Sequence, residues 1–292
     1  MPPRGGQPNR GAGAHRSFIG NVNAARCLMQ LRRTFDSAAE RYDRARPGYP
    51  PQVFEDLATL AELESGSRIL EIGCGTGQAT VPLAERGYEV LAVELGAELA
   101  VIARRRLAAH SNAEVVVSAF EDWAIPDEPF DAVVSADAFH WLDPEIRITK
   151  AAQALRRGGS LAIIENRHRP VASDHLLAEF SRCHERWGST SRLGTKPAAD
   201  QPPENLAEVE QSGLFDRVAS RRYEWDQEYA TRQYLELLMT FSDVLALEPA
   251  QQQGLLGCIG ELIDRELHGR VGEHNITQLL IARKGAGANL GA

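Results

Sequence analysis

The chain has 292 residues, 43% of them apolar, with 32 Lys and Arg against 40 Asp and Glu, for a formal charge of −8. That length suits one large α/β domain, or one domain with an appended lid, and no run approaches the ~18 uninterrupted apolar residues that suggest a membrane span. Charge is uneven: residues 1–50 hold nine Arg against three acids (Asp36, Glu40, Asp43), which leaves the other 242 residues at −14, a balance that argues against broad nucleic-acid binding.

Residues 1–28 are rich in Gly, Pro, Asn and Arg, with no apolar stretch of signal-peptide length. A disordered extension is expected over 1–33, with Met29 as an alternative start and the cytoplasm as the default setting. The four cysteines (Cys27, Cys74, Cys183, Cys258) are scattered with no Cys-x-x-Cys pair, so neither a disulfide framework nor a metal site is expected. Cys183-His184 reads as a pair on a helix face.

Segment 34–46 reads as a short amphipathic helix entering the Pro-Gly-Tyr-Pro-Pro break at 47–51. Pro51 suits the first turn of a helix to about Leu63, with Val53, Phe54, Leu57 and Leu60 at helical spacing. Strands and helices then alternate. Strand one ends at Glu71; the others are Glu89–Glu94, Ala113–Val117, Phe130–Ser135 and Ser160–Glu165, with helices to Arg86, over 96–110, and from Asp143 as N-cap to Gly158-Gly159. This rhythm predicts a parallel, doubly wound sheet.

Beyond it come a helix over 173–187, a polar loop over 188–203, a helix over 204–212 and a strand over 216–225. Helical stretches over 230–247 and 249–268 follow, divided by Pro249, then a strand over 275–282 and a flexible tail over 286–292. The two late strands fit a sixth strand and a terminal antiparallel one inserted beside it.

In such a sheet, ligands bind beyond the carboxyl ends of the strands. Strand one runs into Glu71-Ile72-Gly73-Cys74-Gly75-Thr76-Gly77-Gln78, a turn where backbone can touch a nucleoside-type cofactor. A dinucleotide fingerprint would put its third glycine at 78, where Gln78 stands. Glu94 ends strand two and can accept from both hydroxyls of a ribose. After strand three, Phe120 or Trp123 can cover an adenine, and Glu121 or Asp122 can accept from its amino group. After strand four, His140 in Phe139-His140-Trp141 is the best-placed titratable group, either a base for an acceptor or a residue that shapes the pocket. Asn166-Arg167-His168-Arg169 forms a basic cluster at the pocket rim, suited to an anionic substrate or simply solvated.

Taken together, these segments resemble the class I S-adenosylmethionine (SAM) methyltransferases, in the small-molecule branch that includes trans-aconitate-type enzymes. The matching pieces are Phe35-Asp36-x4-Arg41-Tyr42-Asp43-x2-Arg46-Pro47-Gly48-Tyr49-Pro50, the glycine turn, Glu94, Phe139-His140-Trp141 and Leu155-Arg156-Arg157-Gly158-Gly159. The resemblance implies a Rossmann-like, seven-stranded, mostly parallel sheet with an antiparallel last strand and a helical cap. Its domain would span 34–285, with a core sheet at 67–166 and a helical insert at about 227–272.

By the same resemblance, Glu71, Gly73, Gly75 and Gly77 line the methionine end of SAM, Glu94 binds its ribose, Phe120 and Glu121 border its adenine, and Tyr42 and Arg46 close over it. Gln78, Leu95 and Ala136 complete the cofactor set; Trp141, Arg167 and His168 face the substrate, and no metal is required. Many relatives carry Asp where Ala119 stands, which shifts adenine recognition to Glu121, Asp122 or backbone amides. The implied reaction is in-line methyl transfer to a small-molecule O, N or carboxylate acceptor. The alternatives are an NAD(P)-dependent oxidoreductase, disfavoured by Gln78, and a SAM-binding protein without turnover.

Overall fold

The computed structural model describes residues 32–189 and 201–285. The expected extension before residue 32, most of the 188–203 loop and the tail from 286 lie outside the described residues.

The sheet has seven strands in the order β3-β2-β1-β4-β5-β7-β6. Its strands are β1 (Arg68–Ile72), β2 (Glu89–Glu94), β3 (Ala113–Val117), β4 (Phe130–Ala136), β5 (Leu155–Val171), β6 (Phe215–Ala230) and β7 (Arg270–Lys284). The first five pair in parallel, whereas β7 lies antiparallel between β5 and β6. Strand order reverses between β1 and β4, so their carboxyl ends flank the crevice.

Both faces of the central strands β1, β2, β4 and the first half of β5 are covered, which is why these read as near-continuous apolar runs, whereas the edge strand β6 is mostly exposed. Helices are numbered in chain order: α1 (Ala39–Ala45), α2 (Pro51–Leu60), α3 (Thr80–Glu85), α4 (Ala97–Arg106), α5 (Arg147–Ala154), α6 (Asp174–Trp187), α7 (Leu206–Gln211), α8 (Thr231–Leu238), α9 (Ser242–Leu245) and α10 (Pro249–Glu266). Leu70, Ile72, Val133, Leu161 and Ile163 pack on the α5 side with Ile148 and Ala151. Their alternates Ile69, Ala132, Val134, Ala162 and Ile164 meet Val53, Phe54 and Leu57 of α2 on the other face.

A separate core holds the cap together. Phe180 of α6, Tyr234 and Leu237 of α8, and Leu255, Ile259, Leu262 and Ile263 of α10 are buried against one another. The α10 positions recur at i, i+4, i+7 and i+8, the stripe expected of a helix with one buried face.

The structure departs from the sequence reading in four places. First, β5 runs six residues past Glu165 and starts five before Ser160, so Gly158-Gly159 lies within the strand and the 166–169 cluster is strand rather than rim loop. The extensions of β5, β6 and β7 pair with one another, His168 opposite Asn275 and Asn275 opposite Trp225. Distant partners supply those ladders, so polar composition did not reveal them. Second, α5 starts at Arg147 rather than at Pro144; Asp143 instead accepts from the Glu145 N–H at 2.9 Å, a local Asx turn that delays the helix.

Third, the helix expected over 230–247 breaks after Leu238, and Phe241 takes an extended backbone before α9. Fourth, Cys183 of α6 and Cys258 of α10 form a disulfide, with Cα atoms 5.9 Å apart across 75 residues, where none was expected. Their helices pack face to face in the cap, a proximity that spacing along the chain does not encode.

Candidate functional site

A cavity of about 360 Å³ opens at the carboxyl ends of β1, β2 and β4, against Asn166 and His168 within β5, in the ~300–1,000 Å³ range usual for small-molecule sites. The glycine turn forms its floor. Gly73, Gly75 and Gly77 have φ of +71°, +58° and +95°, a region costly for residues with a Cβ. At Gly73 the requirement is doubled, since a Cβ there would stand 2.5 Å from the Cβ of Ala138.

Glu94 straps this turn to the neighbouring one. Its carboxylate accepts from the Gly75 N–H and the Gly96 N–H, both at 2.8 Å. Burial pushes its pKa up, while the amide bonds oppose that rise. Each oxygen keeps a second lone pair, and the residue lines the cavity.

Glu71 is 1% exposed and its Oε2 has no hydrogen-bond partner. Burial pushes its pKa up to about 7; the Thr80 hydroxyl lowers it and the Glu94 charge raises it. The side chain faces a small annex of the cavity, about 30 Å³, shared with Tyr49, Gln78, Asp137, Asn166 and Asn275. A buried carboxylate with one oxygen unpartnered, beside the glycine turn, suits a ligand cation.

The N-terminal segment closes one side. Tyr42 and Arg46 line both cavity and annex. The Arg46 guanidinium lies 5.3 Å from the Tyr42 ring centroid and 4.6 Å from that of Phe241, and its Nη2 donates to the Thr240 carbonyl at 3.1 Å. Phe35 meets Trp141 edge to face at 5.5 Å.

Of the other expected site residues, Leu95, Phe120, Ala136, His140, Trp141 and His168 line the main cavity. His140 is exposed to it, yet the protein crowding around the ring lowers its pKa by desolvation, the nearby Asp137 charge opposing. Gln78 donates to the Thr76 hydroxyl at 2.7 Å and lines only the annex.

Three residues lie elsewhere. Gly77 backs onto Ala103 of α4. Glu121 pairs with Arg32 at 2.7 Å; burial raises its pKa, but Arg32 holds the carboxyl below the ordinary range. Arg167 pairs with Glu204 at 2.9 Å beside an outer pocket.

The structure adds residues that sequence reasoning missed. Asp137 has φ of +52° and accepts from the Tyr49 hydroxyl at 3.0 Å and the Asn166 N–H at 2.6 Å, tying the Pro-Gly-Tyr-Pro segment to the ends of β4 and β5. Its place after β4 was a usable signal, since Asp tolerates this conformation better than most residues. Phe241, Ser242 and Asp243 reach the cavity from the cap, and Glu273 reaches the annex from β7. No local pattern marked these four. Among the described residues no group of three or more His, Cys, Asp or Glu could hold a metal ion, and no helix is long and apolar enough to cross a membrane.

Comparison with known proteins identifies the family. The methyltransferase-domain family matches residues 69–159. An uncharacterized methyltransferase of Mycobacterium tuberculosis is 32% identical over 218 residues, covering 75% of this chain and 80% of the relative. One from Schizosaccharomyces pombe is 25% identical, covering 79% and 87%. Among solved structures, a candidate type II methyltransferase from Anaeromyxobacter dehalogenans superposes with a TM-score of 0.56 at 25% identity, over 82% of this chain and 97% of that one. Phosphoethanolamine N-methyltransferase 2 of Haemonchus contortus, solved with phosphomonomethylethanolamine and S-adenosylhomocysteine, shares the fold. Its TM-score is 0.51 at 18% identity, over 86% of this chain and 57% of that one.

Proposed function

This chain belongs to the class I SAM-dependent methyltransferases, and we propose that it methylates a small-molecule acceptor held between the sheet and the helical cap. The observation that carries this reading is the placement of Glu94 on the main cavity and of Glu71 on its annex, with Gly73 and Gly75 lining both. Glu71, Gly73 and Gly75 take the methionine end, with Gln78 on the annex side and Gly77 shaping the turn from behind. Glu94 takes the ribose, and Leu95, Phe120 and Ala136 take the adenine. Arg46 and Tyr42 close over the cofactor.

Bound there, SAM supplies an electrophilic methyl on sulfur. The chain's own contribution is alignment and exclusion of water. Phe35, Trp141 and Phe241 wall the acceptor side, and His140 and His168 supply its polar contacts. The size of the cavity favours a small acceptor, and a body at −14 disfavours nucleic acid.

We keep the cytoplasm as the setting of the reaction, although the Cys183–Cys258 disulfide speaks against a reducing compartment; a fully oxidised pair on protein alkylated at lysis would overturn that placement, and two free thiols would support it.

Calorimetric titration with SAM, S-adenosylhomocysteine and NAD tests the cofactor assignment: SAM and its product bind and NAD does not. Binding of NAD alone overturns it. Methyl transfer to an acceptor panel, read as S-adenosylhomocysteine release, separates an enzyme from a SAM-binding protein without turnover.

A further inference from the structure

The methyl-transfer assignment uses His168 only as a polar contact and leaves its pairing with Glu273 unused. The extended β5 and β7 bring them together: His168 lies opposite Asn275, which makes Glu273 its diagonal neighbour on the same face. Glu273 is 1% exposed, and one of its oxygens lies 3.2 Å from His168 Nδ1. The ring is fixed a second way, stacked on Phe241 with centroids 4.8 Å apart at 21°, and Arg46 covers that phenyl at 4.6 Å. Imidazole tilt and rotation are therefore both set.

A buried carboxylate on Nδ1 selects the tautomer with the proton on Nδ1. Nε2 is then a bare acceptor. It makes no hydrogen bond to any described residue and is not among the buried unpartnered atoms. The residue lines both the main cavity and the annex.

We propose that His168 is the general base of the methyl transfer, with Glu273 as its positioning residue, and that the acceptor is a hydroxyl or amine that attacks while losing a proton. This rests on the methyl-transfer reading. The lone pair of the acceptor atom forms the bond to the methyl carbon, the S–CH3 bond breaks, and its electron pair stays on sulfur, giving S-adenosylhomocysteine. The acceptor's proton passes to Nε2, Glu273 stabilises the imidazolium across Nδ1–H, and solvent takes the proton after product leaves. A carboxylate acceptor would need no such group.

Two readouts test this on the full chain. Nitrogen-15 NMR of the protein with S-adenosylhomocysteine near neutral pH reads the tautomer of wild-type His168. The proton is expected on Nδ1, and an Nε2–H ring overturns the assignment. Turnover is then compared over phenols, alcohols and amines, with carboxylic acids as acceptors that need no base. His168→Gln is expected to lower kcat on protonated acceptors by about 10²–10⁴-fold while the SAM Kd holds, and Glu273→Gln by about tenfold or more with a shifted acid limb of the pH–rate profile.

The other titratable and charged groups facing this region are kept in every variant: Tyr229 of β6 and Tyr234 of α8 against Glu273, Arg46, Asp137, His140 and Asp243 around the cavity, and Arg167, Arg169, Glu224, Asp226 and His274 on the outer side. A panel on which only carboxylates react, or a His168→Gln variant with wild-type kcat on an amine or phenol, overturns the proposal. If no acceptor in the panel reacts, the tautomer decides. Loss of SAM binding in the wild type sinks the methyl-transfer reading instead, which calorimetry shows separately.

Discussion

Gly73→Ala tests the reason for the glycine turn. The site holds φ at +71° and places Ala138 Cβ 2.5 Å from an added methyl. The left-handed backbone costs an L-residue about 1–2 kcal/mol, and forcing a methyl into filled space costs about 1–3 kcal/mol. Together they predict a loss of about 2–5 kcal/mol in unfolding free energy.

The two parts separate in a double-mutant cycle. Ala138→Gly removes the clashing atom, and the next nearest, Ala138 Cα, lies at 3.9 Å, an ordinary contact. The pair should therefore recover about 1–3 kcal/mol relative to the sum of the single changes, and only the backbone part remains. Urea unfolding with unchanged slope measures each value. A single variant within about 0.5 kcal/mol of wild type, the scatter of a neutral substitution, would refute the strain argument. Absence of coupling would refute the steric one.

Glu71→Gln should remove a pH dependence. Wild-type Glu71 ionises at about 7 when folded against 4.5 ordinarily, so between those values the folded chain holds a proton that the unfolded chain has released, and stability falls as pH rises through this window. The Gln variant should gain up to about 3 kcal/mol on wild type above the window and nothing below it; parallel stability curves would contradict this. Glu94→Ala should weaken SAM binding by about 1–3 kcal/mol, the range for a hydrogen bond to a charged group, measured by calorimetry. It should also destabilise the fold, because the Gly75 and Gly96 amides lose their acceptor; unchanged affinity would place the ribose elsewhere. Cys183→Ser should lower stability by about 2–4 kcal/mol without reductant, as expected for opening a long loop, and should cost much less under dithiothreitol. Equal losses in both conditions would show that the bond contributes little.

The sheet core and the glycine-turn end of the cavity were legible because their determinants are local. Apolar runs of strand length, the glycines at 73, 75 and 77, and the acids at two strand ends are each encoded within a few residues, and the parallel direction of β1–β5 follows from their alternation with helices, whereas their order in the sheet does not. The opposite end of the cavity was not legible. His168 was read in a basic rim loop, yet it stands in a strand whose ladder depends on β7 more than a hundred residues away, and Glu273 gains meaning only from that register. Phe241 lines the cavity at the break between α8 and α9, and Cys183 meets Cys258 where α6 packs against α10. Hydrophobic period and turn chemistry act over a few residues, whereas strand extension, cap packing and the His168–Glu273 contact come from long-range pairing that only the assembled fold brings about.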